Sequence, residues 1–381
     1  MSFDLTEEER AIRDTVRDFA EAEIRPHVME WDEAQAFPRG VFDKLGELGF
    51  LGCFVPEAYG GASLTVSQYI GVIEELARVD GSVSLSVAAH NSLCTNHLVM
   101  FGSEAQKKEY LPKLASGEWI GAWGLTESGS GSDAGGMQTT ARRDGAGWVL
   151  NGQKTFITHG SVGQIAVVTA LTDRSKGKGG ISAFAVPMDT PGIRPGKKEN
   201  KLGMRASDTS TLLLEDCRLP ADALIGGEEE GFKQALQILD GGRIGIAALA
   251  IGMARGAFEA ALSYSQQRRQ FGRALSEFEA IQFYLAEMAT DIDAATLLTR
   301  RAAAARDAGA KVTKLASMAK YFAGEMCVRV ADRALQIHGG YGFVKDYPVE
   351  KFFRDVKLCT IGEGTTEIQK LVIARQILSG L

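Results

Sequence analysis

Ile361-Gly362-Glu363-Gly364-Thr365-Thr366-Glu367-Ile368-Gln369, preceded by Tyr347-Pro348-Val349-Glu350-Lys351-Phe352-Phe353-Arg354-Asp355, is the most informative stretch of this chain. A single carboxylate, Glu363, stands between two glycines just ahead of a helix-like run. Glycine has no Cβ, so such a turn can bring a side chain and the backbone close to a flat ligand. Read alone, an acidic residue in a glycine-flanked turn is a solvated surface carboxylate. What surrounds it decides whether it is more.

Working outward, the last third of the chain is helical. Ala235 to Arg269 forms one long pattern, and Ser276 with Glu279 has the spacing of a capping box opening a second. The second carries Ile281, Leu285, Met288 and Ile292 at helical intervals; a third carries Leu315, Met318, Ala319, Phe322 and Met326 on one face. Such stripes are bundle core. The middle, 119–231, changes period. Asn151-Gly152 between β-formers is a hairpin signal, and Ile165 to Leu171, Ile181 to Val186 and Thr211 to Leu214 are strand candidates. No helices alternate with them, which argues against a doubly wound sheet. The first third, 1–118, is helical: Thr6 and Glu9 form a capping-box pair, Ile12, Val16, Phe19 and Ala20 follow, and Pro26 is expected to end the run. Val41, Phe42, Leu45 and Leu48 mark a second helix, Val66, Ile70, Ile73 and Ala77 a third, with Gly60-Gly61 and Gly81-Ser82 as punctuation. The expected architecture is mainly α with a central β domain: 1–118 N-terminal helical, 119–231 β, barrel-like, and 232–381 a C-terminal four-helix bundle.

At 381 residues the chain is too long for one ordinary core. A net charge of −6 argues against nucleic acid as the main partner. No uninterrupted apolar run approaches the ~20 residues of a membrane span. The acidic stretch Met1 to Glu9 lacks the basic and apolar regions of a signal peptide, so no membrane insertion and a cytoplasmic location are expected. The five cysteines, Cys53, Cys94, Cys217, Cys327 and Cys359, are scattered without a CxxC pair and read as reduced, buried small hydrophobes. His90 and His97 have no metal-site context, so no metal is expected and packing or hydrogen bonding accounts for both.

Several further motifs have a bland and a sharp reading. Gly129, Gly131 and Ala134 loosely match a GxGxxA dinucleotide fingerprint, but that fingerprint needs a helix directly after it; a flexible loop reads equally well. Phe156-Ile157-Thr158 is on its own a plain strand. Asp240 and Arg243 are an i,i+3 helix pair worth a few tenths of a kcal/mol, roughly. Gly241 and Gly242 between them weaken a helix, which points to a ligand or another chain passing close by. Arg268, Gln270 and Phe271 put a basic cluster at a helix end, where the dipole favours it. Gln336-Ile337-His338-Gly339-Gly340 reads as a glycine helix terminator.

Taken in order, these segments resemble those of the acyl-CoA dehydrogenases along essentially the whole chain, most closely the short-chain and short/branched-chain (butyryl-CoA dehydrogenase-like) subgroup, as Lys201-Leu202-Gly203-Met204-Arg205-Ala206-Ser207 and the segment Ser86 to His97 suggest. The resemblance implies FAD-dependent conversion of an acyl-CoA to a trans-2-enoyl-CoA. Glu363 removes the α-proton and FAD takes the β-hydride. The Glu363 N–H and a ribityl hydroxyl hold the thioester oxygen, and burial raises the Glu363 pKa toward working pH. It places Trp123 at an often aromatic position, Leu125, Thr126, Phe156 and Thr158 at the flavin, and Ser132 at cofactor or substrate. Arg268, Gln270, Phe271, Gln336 and Gly340 go to the pyrophosphate and adenosine part in a neighbouring subunit. Thr365 and Glu367 also fall to the cofactor; Asp240, Arg243, Gly362 and Gly364 fall to the substrate. It further implies a homotetramer, an electron-transfer flavoprotein as acceptor, and a place in fatty acid β-oxidation or branched-chain amino acid degradation.

Departures refine this. Isovaleryl-type relatives carry their base at the position of Gly242, so no rival base is present. Glutaryl-type relatives carry an Arg between Val87 and Leu98; none is there. Gly362 replaces a common Tyr, which widens the acyl pocket. His159 stands where Asn is common and receives no role. Two other readings share the fold: an acyl-CoA oxidase reoxidised by O₂, expected to be longer than this chain, and a non-catalytic flavoprotein scaffold, against which Glu363 speaks.

Overall fold

The computed structural model describes residues 5–380; residues 1–4, part of the acidic N-terminal stretch, and residue 381 lie outside the described residues. Helix α1 (Glu7–Phe19) opens with the expected capping box, the Glu9 N–H donating to Thr6 Oγ1 at 3.1 Å and the Thr6 N–H to Glu9 Oε2 at 2.8 Å. Pro26 does not end this run. The chain passes through a π-helical turn, Ala20–Ile24, and a 3₁₀ turn, Arg25–His27, directly into α2 (Val28–Ala34). Proline is tolerated at the start of a helical turn, where its missing N–H has no partner to lose. Helices α3 (Arg39–Glu47) and α4 (Val66–Val79) lie where the apolar periodicity put them. Gly81-Ser82 opens a helix, α5 (Gly81–Ala89), because the Asp80 carboxylate accepts from the N–H groups of Ser82 and Val83. Helices α6 (Asn96–Phe101) and α7 (Glu104–Ala115) complete the first third.

The middle is a mainly antiparallel sheet of β1 (Gly121–Gly124), β2 (Thr140–Asp144), β3 (Gly147–Thr158), β4 (Ile165–Leu171), β5 (Ile181–Pro187), β6 (Ile193–Lys198), β7 (Thr209–Leu219) and β8 (Leu224–Ile225). The order is β6-β7-β3-β2-β4-β5-β8, with β1 alongside β4; only β1–β4 and β2–β4 are parallel. The hairpin expected at Asn151-Gly152 is not a turn. Strand β3 runs straight through it, and the β2–β3 turn lies earlier, at Asp144–Gly147, with Gly145 at φ +58°. Asn151 instead pairs across the sheet, accepting from the Asp216 N–H at 2.9 Å and donating to Asp216 Oδ1 at 3.1 Å. Gly152, at φ +146°, sits at a bulge against β7, where a Cβ would lie 2.6 Å from Thr139 Oγ1. A glycine required for a bulge and close approach looks, in sequence, like one required for a turn. The Gly129–Ala134 segment is followed by a 3₁₀ turn, Ala134–Gly136, and then β2, so it lacks the helix a dinucleotide fingerprint needs.

Helix α8 (Gly231–Gln267) leads through a short ribbon, β9 (Arg269–Gln270) and β10 (Arg273–Ala274), into α9 (Glu279–Asp307) and α10 (Thr313–His338); α11 (Val349–Asp355) and α12 (Thr366–Leu378) follow. The capping box expected at Ser276 and Glu279 is displaced. Glu277 takes that part, accepting from the Ala274 N–H at 2.9 Å, and Ser276 lies inside a 3₁₀ turn. Although its sequence has no long unbroken apolar run, α8 is apolar enough by composition to cross a membrane, yet 78% of its most apolar window is buried inside the protein, which makes it a core helix. The helices of the first and last thirds share one hydrophobic core, Val16, Phe42, Ile73 and Leu76 packing with Ile244, Leu249, Met326 and Val330. On α10 the buried face is Ala316, Ala319, Ala323, Met326 and Cys327, while Leu315, Met318 and Phe322 are half-buried. Helices α4 and α8 approach closely: a Cβ at Gly252 would overlap the carbonyl oxygen of Glu74, and one at Gly256 that of Arg78. All five cysteines are free and buried.

Candidate active site

Glu363 is placed by a turn in which two successive residues have positive φ, Glu363 at +52° and Gly364 at +92°. A non-glycine residue there is uncommon, and such a conformation persists only when its surroundings hold it. Here they do. Lys320 Nζ, from α10, donates to the Gly364 carbonyl at 2.6 Å. Gln369 Nε2 donates to the carbonyls of Gly364 at 3.0 Å and Glu363 at 3.2 Å. Thr365 then caps α12 by accepting from the Ile368 N–H. Glu367 lies exposed on the first turn of that helix, where an anion suits the dipole.

The Glu363 side chain reaches α8 at Gly242, where any Cβ would overlap its Oε2. The glycine pair inside α8 has a reason within the chain: Gly242 makes room for the carboxylate, and Gly241 for the Arg306 guanidinium, which would stand 2.7 Å from a Cβ. Oε2 of Glu363 is out of solvent and has no hydrogen-bond partner among the described residues. Burial pushes its pKa up to about 7, against the opposing pull of Lys320 and Arg243. Arg243 is buried and bonded to Asp240 at 2.6 Å, so the bland i,i+3 pair is real, and Asp240 also accepts from Thr313 Oγ1 at 2.5 Å. Burial lowers the Arg243 pKa. A carboxylate that is half protonated near neutral pH and has an unengaged oxygen can take a proton from a bound molecule.

Gly242→Ala tests this packing. The added methyl can be relieved only by moving the carboxylate, since Glu363 is the flexible partner. Turnover should fall on the order of 10²-fold. Stability should hold or rise slightly, because alanine is the better helix former by about 1 kcal/mol. Steady-state kinetics beside a thermal melt check both; parallel loss of stability and activity would contradict this account.

A second group lies on the sheet. Trp123 is half-buried and donates from Nε1 to His97 Nδ1 at 3.1 Å. Leu125 and Thr126 leave β1 beside β3, the Thr126 carbonyl accepting from the Thr155 N–H at 2.9 Å. Phe156 sits at a register shift in β3 with φ +58°, and the residue is 66% exposed, an unusual placement for a large apolar group. Thr158 is half-buried and Ser132 exposed at the loop tip. Leu239, next to Asp240, packs in the same cluster as Leu125 and Trp123, joining this group to α8. A third group is separate. Arg268, Gln270, Gln336 and Gly340 line a cavity of about 930 Å³ with Tyr264, His338 and Tyr341. Phe271, 94% exposed at the ribbon's turn, lies outside that lining. Gly362 and Gly364 flank the carboxylate; a Cβ at Gly362 would meet Leu358 at 3.4 Å, ordinary contact, so the fold does not require glycine there.

Sequence reasoning missed three residues. Lys320 and Gln369 hold the turn. Tyr69 brings a buried hydroxyl against Gly245, and burial raises its pKa, with Cys53 and then Glu363 adding to it. His159 is buried at φ +64°, its Nδ1 bonded to the Gly121 carbonyl at 2.9 Å, and burial pushes its pKa down to about 4. His90 and His97 are hydrogen-bonded structural residues as expected, His90 to the Leu51 and Leu114 carbonyls and His97 to Gln234.

Residues 6–118, 122–217 and 229–378 match the acyl-CoA dehydrogenase N-terminal, middle and C-terminal domains respectively. The chain belongs to the acyl-CoA dehydrogenase family. The short-chain specific acyl-CoA dehydrogenase of Clostridium acetobutylicum is 45% identical over 377 residues, 99% of this chain and all of that one. The three-dimensional structure of butyryl-CoA dehydrogenase from Megasphaera elsdenii superimposes with a TM-score of 0.97 at 42% identity, covering 99% of this chain and 100% of its own. A structure described as an electron transferring flavoprotein of Acidaminococcus fermentans, studied for flavin-based electron bifurcation, contains a chain similar at TM-score 0.98 and 46% identity over 99% and 100% of the two lengths. The family is one of oxidoreductase flavoproteins, and its fold, helical–sheet–helical, is the one described above.

The residues fit a flavin dinucleotide. The exposed Phe156 and the polar edge at Thr126 and Thr158 suit a flat ring system, and the Arg268 guanidinium, in one cavity with the Gln270 and Gln336 amides, suits a pyrophosphate.

Proposed function

We propose that this chain is an FAD-dependent dehydrogenase that removes the α- and β-hydrogens of a short-chain or short branched-chain acyl-CoA to give the trans-2-enoyl-CoA, with Glu363 as the base. The observation that carries the reading is the Glu363 carboxylate itself: held on a positive-φ turn, fitted into the Gly242 hollow, its Oε2 unengaged and its pKa raised to about 7. A thioester α-proton needs a base close to working pH, and burial supplies one without a partner residue. The Glu363 backbone N–H stands beside the same turn as donor to the thioester oxygen. Asp240 and Arg243 border the acyl-CoA, and Gly362 leaves open the space beside Leu358. FAD supplies the hydride acceptor.

The span of α8 bears on assembly. From Arg243 to Arg268 the helix rises about 37 Å, farther than one dinucleotide reaches. That length supports the reading, implied by the family resemblance, that Arg268, Gln270, Gln336 and Gly340 serve the FAD whose ring lies in a neighbouring subunit of a homotetramer. Electrons pass on to an electron-transfer flavoprotein; the likeness to the Acidaminococcus structure supports that partner.

The test is anaerobic mixing of the yellow holoenzyme with butyryl-, 2-methylbutyryl-, isovaleryl- and octanoyl-CoA, following loss of flavin absorbance, then reoxidation by electron-transfer flavoprotein or by O₂. Bleaching by the short acyl-CoAs and slow reoxidation by O₂ are expected. A colourless protein that takes up no FAD sinks the reading; rapid peroxide formation makes it an oxidase. Gly362→Tyr should lower kcat/KM for 2-methylbutyryl- and octanoyl-CoA relative to butyryl-CoA, on the order of tenfold for a pocket narrowed by one ring. An unchanged ratio excludes a role for Gly362 in the pocket.

A further inference from the structure

Lys320 lies on the core face of α10, only 1% exposed. A buried lysine is costly unless it is paired, yet among the described residues Lys320 enters no ion pair. Its ammonium is spent on one neutral acceptor, the Gly364 carbonyl at 2.6 Å. That carbonyl belongs to the residue after Glu363, in the turn where both have positive φ. The other cation beside Glu363, Arg243, is bonded to the Asp240 carboxylate at 2.6 Å, which neutralises much of its field. Among the described residues, Lys320 therefore contributes the one unneutralised positive charge near the carboxylate and, with Gln369, the bonds that fix its backbone.

The geometry points to Lys320 as a positioning residue for the reaction: it locks the turn that presents Glu363 and supplies the charge that sustains its ionised form. This rests on Glu363 being the base. The groups facing the carboxylate are Arg243 from α8, itself bonded to Asp240, Lys320 from α10, Tyr69 from α4, and, behind Lys320, Cys359 from the 3₁₀ turn Val356–Thr360. Arg306 of α9 lies against Gly241 and is turned to Asp240. Of these, Lys320 is the strongest of the influences that lower the Glu363 pKa against burial. Burial lowers the lysine's own pKa, with Cys359 and then Glu363 opposing. The Glu363 N–H sits one residue from the held carbonyl, so the same lock orients the donor to the thioester oxygen.

Lys320→Met and Lys320→Arg decide the matter, measured as FAD-loaded protein beside Glu363→Gln. In Lys320→Met the acidic limb of the kcat/KM–pH profile should move up on the order of one pH unit and kcat should fall roughly tenfold, with KM for butyryl-CoA little changed. Lys320→Arg keeps the charge and should keep the limb. A carboxyl infrared band that titrates in the ligand-free protein and is absent in Glu363→Gln should shift with the limb. A lower melting temperature with limb and band unmoved means a merely structural lysine and overturns the proposal. If Lys320→Met cannot be isolated, Lys320→Gln, which keeps a donor but no charge, takes its place: its limb moves if the proposal is right and stays if it is wrong. Full turnover by Glu363→Gln would instead overturn the base assignment, which the lysine variants leave untouched.

Discussion

Glu363→Gln is expected to abolish turnover while leaving a folded, yellow protein. Glutamine matches the carboxylate in shape and fits the Gly242 hollow, but it cannot accept the α-proton, and the Asp240 carboxylate is already held by Arg243 and Thr313. General-base removal costs about 10²–10⁴-fold, and the upper end applies because the α-proton of a thioester leaves only with a base in place. Stability should move the other way. The folded-state pKa of Glu363, about 7, is above its ordinary value, so burying the carboxylate penalises the native state at pH above that ordinary value, fully so above pH 7, and not at all in acid. The variant should therefore be more stable than the parent at pH 8, on the order of 2 kcal/mol, and equal to it near pH 4. For the parent, kcat/KM should rise with pH through about 7 as the base ionises. Kinetics, flavin spectra and melts at both pH values check this. Turnover within tenfold of the parent would remove Glu363 from the mechanism, and a stability gain that is the same at both pH values would mean the carboxylate is not buried in its charged form.

The contrast between Glu363 and Lys320 shows what could be read from the chain. Glu363 is conspicuous locally: a lone carboxylate between glycines before a helix, and the left-handed conformation of that turn is what the glycine neighbour accommodates. The long helices declared themselves through apolar spacing, and β4 and β5 through unbroken apolar runs, because both facts are written in neighbours along the chain. Lys320 has no such context. Its signal was positional only: it falls on the helical face marked by Ala316, Ala319 and Ala323, where a charged residue is out of place, and the expected stripe through Leu315, Met318 and Phe322 was centred slightly off the buried face. Asn151-Gly152 failed for a related reason. The residue that claims Asn151 is Asp216, on another strand, and no local rule sees it. The function of Gly242 is likewise settled by a side chain from the other end of the domain. Local chemistry specified the elements and made Glu363 conspicuous, while its role as base came from the family resemblance; the residues that hold its turn depend on partners brought together by the fold.

Lys351→Met should have the largest effect on stability. Lys351 Nζ donates to Asp80 Oδ1 and to Asp355 Oδ2, both at 2.6 Å, and all three side chains are buried. Both carboxylates also bind backbone. Asp80 caps α5, and Asp355 Oδ1 accepts from the Met204 N–H at 2.6 Å. The lysine thus joins the N-terminal helices, the loop before β7 and α11 at one point. Methionine fills the same space but leaves two carboxylates sharing a pocket without a cation, a change that typically costs roughly 3–5 kcal/mol. The sign with pH follows from the cluster. The two aspartates raise the Lys351 pKa despite burial, so its stabilising charge is fully present below the ordinary lysine value and is lost only in strong alkali. The parent's dependence on this group between pH 5 and 9 is therefore flat. In the variant, Asp355, already raised by burial and by Asp80, loses the lysine that held it down and takes up a proton more readily. The deficit should be largest at pH 8 and shrink toward pH 5, as urea unfolding at the two values will show. A deficit below about 1 kcal/mol at pH 8 would mean that water reaches these carboxylates and that α11 is anchored by its apolar contacts alone.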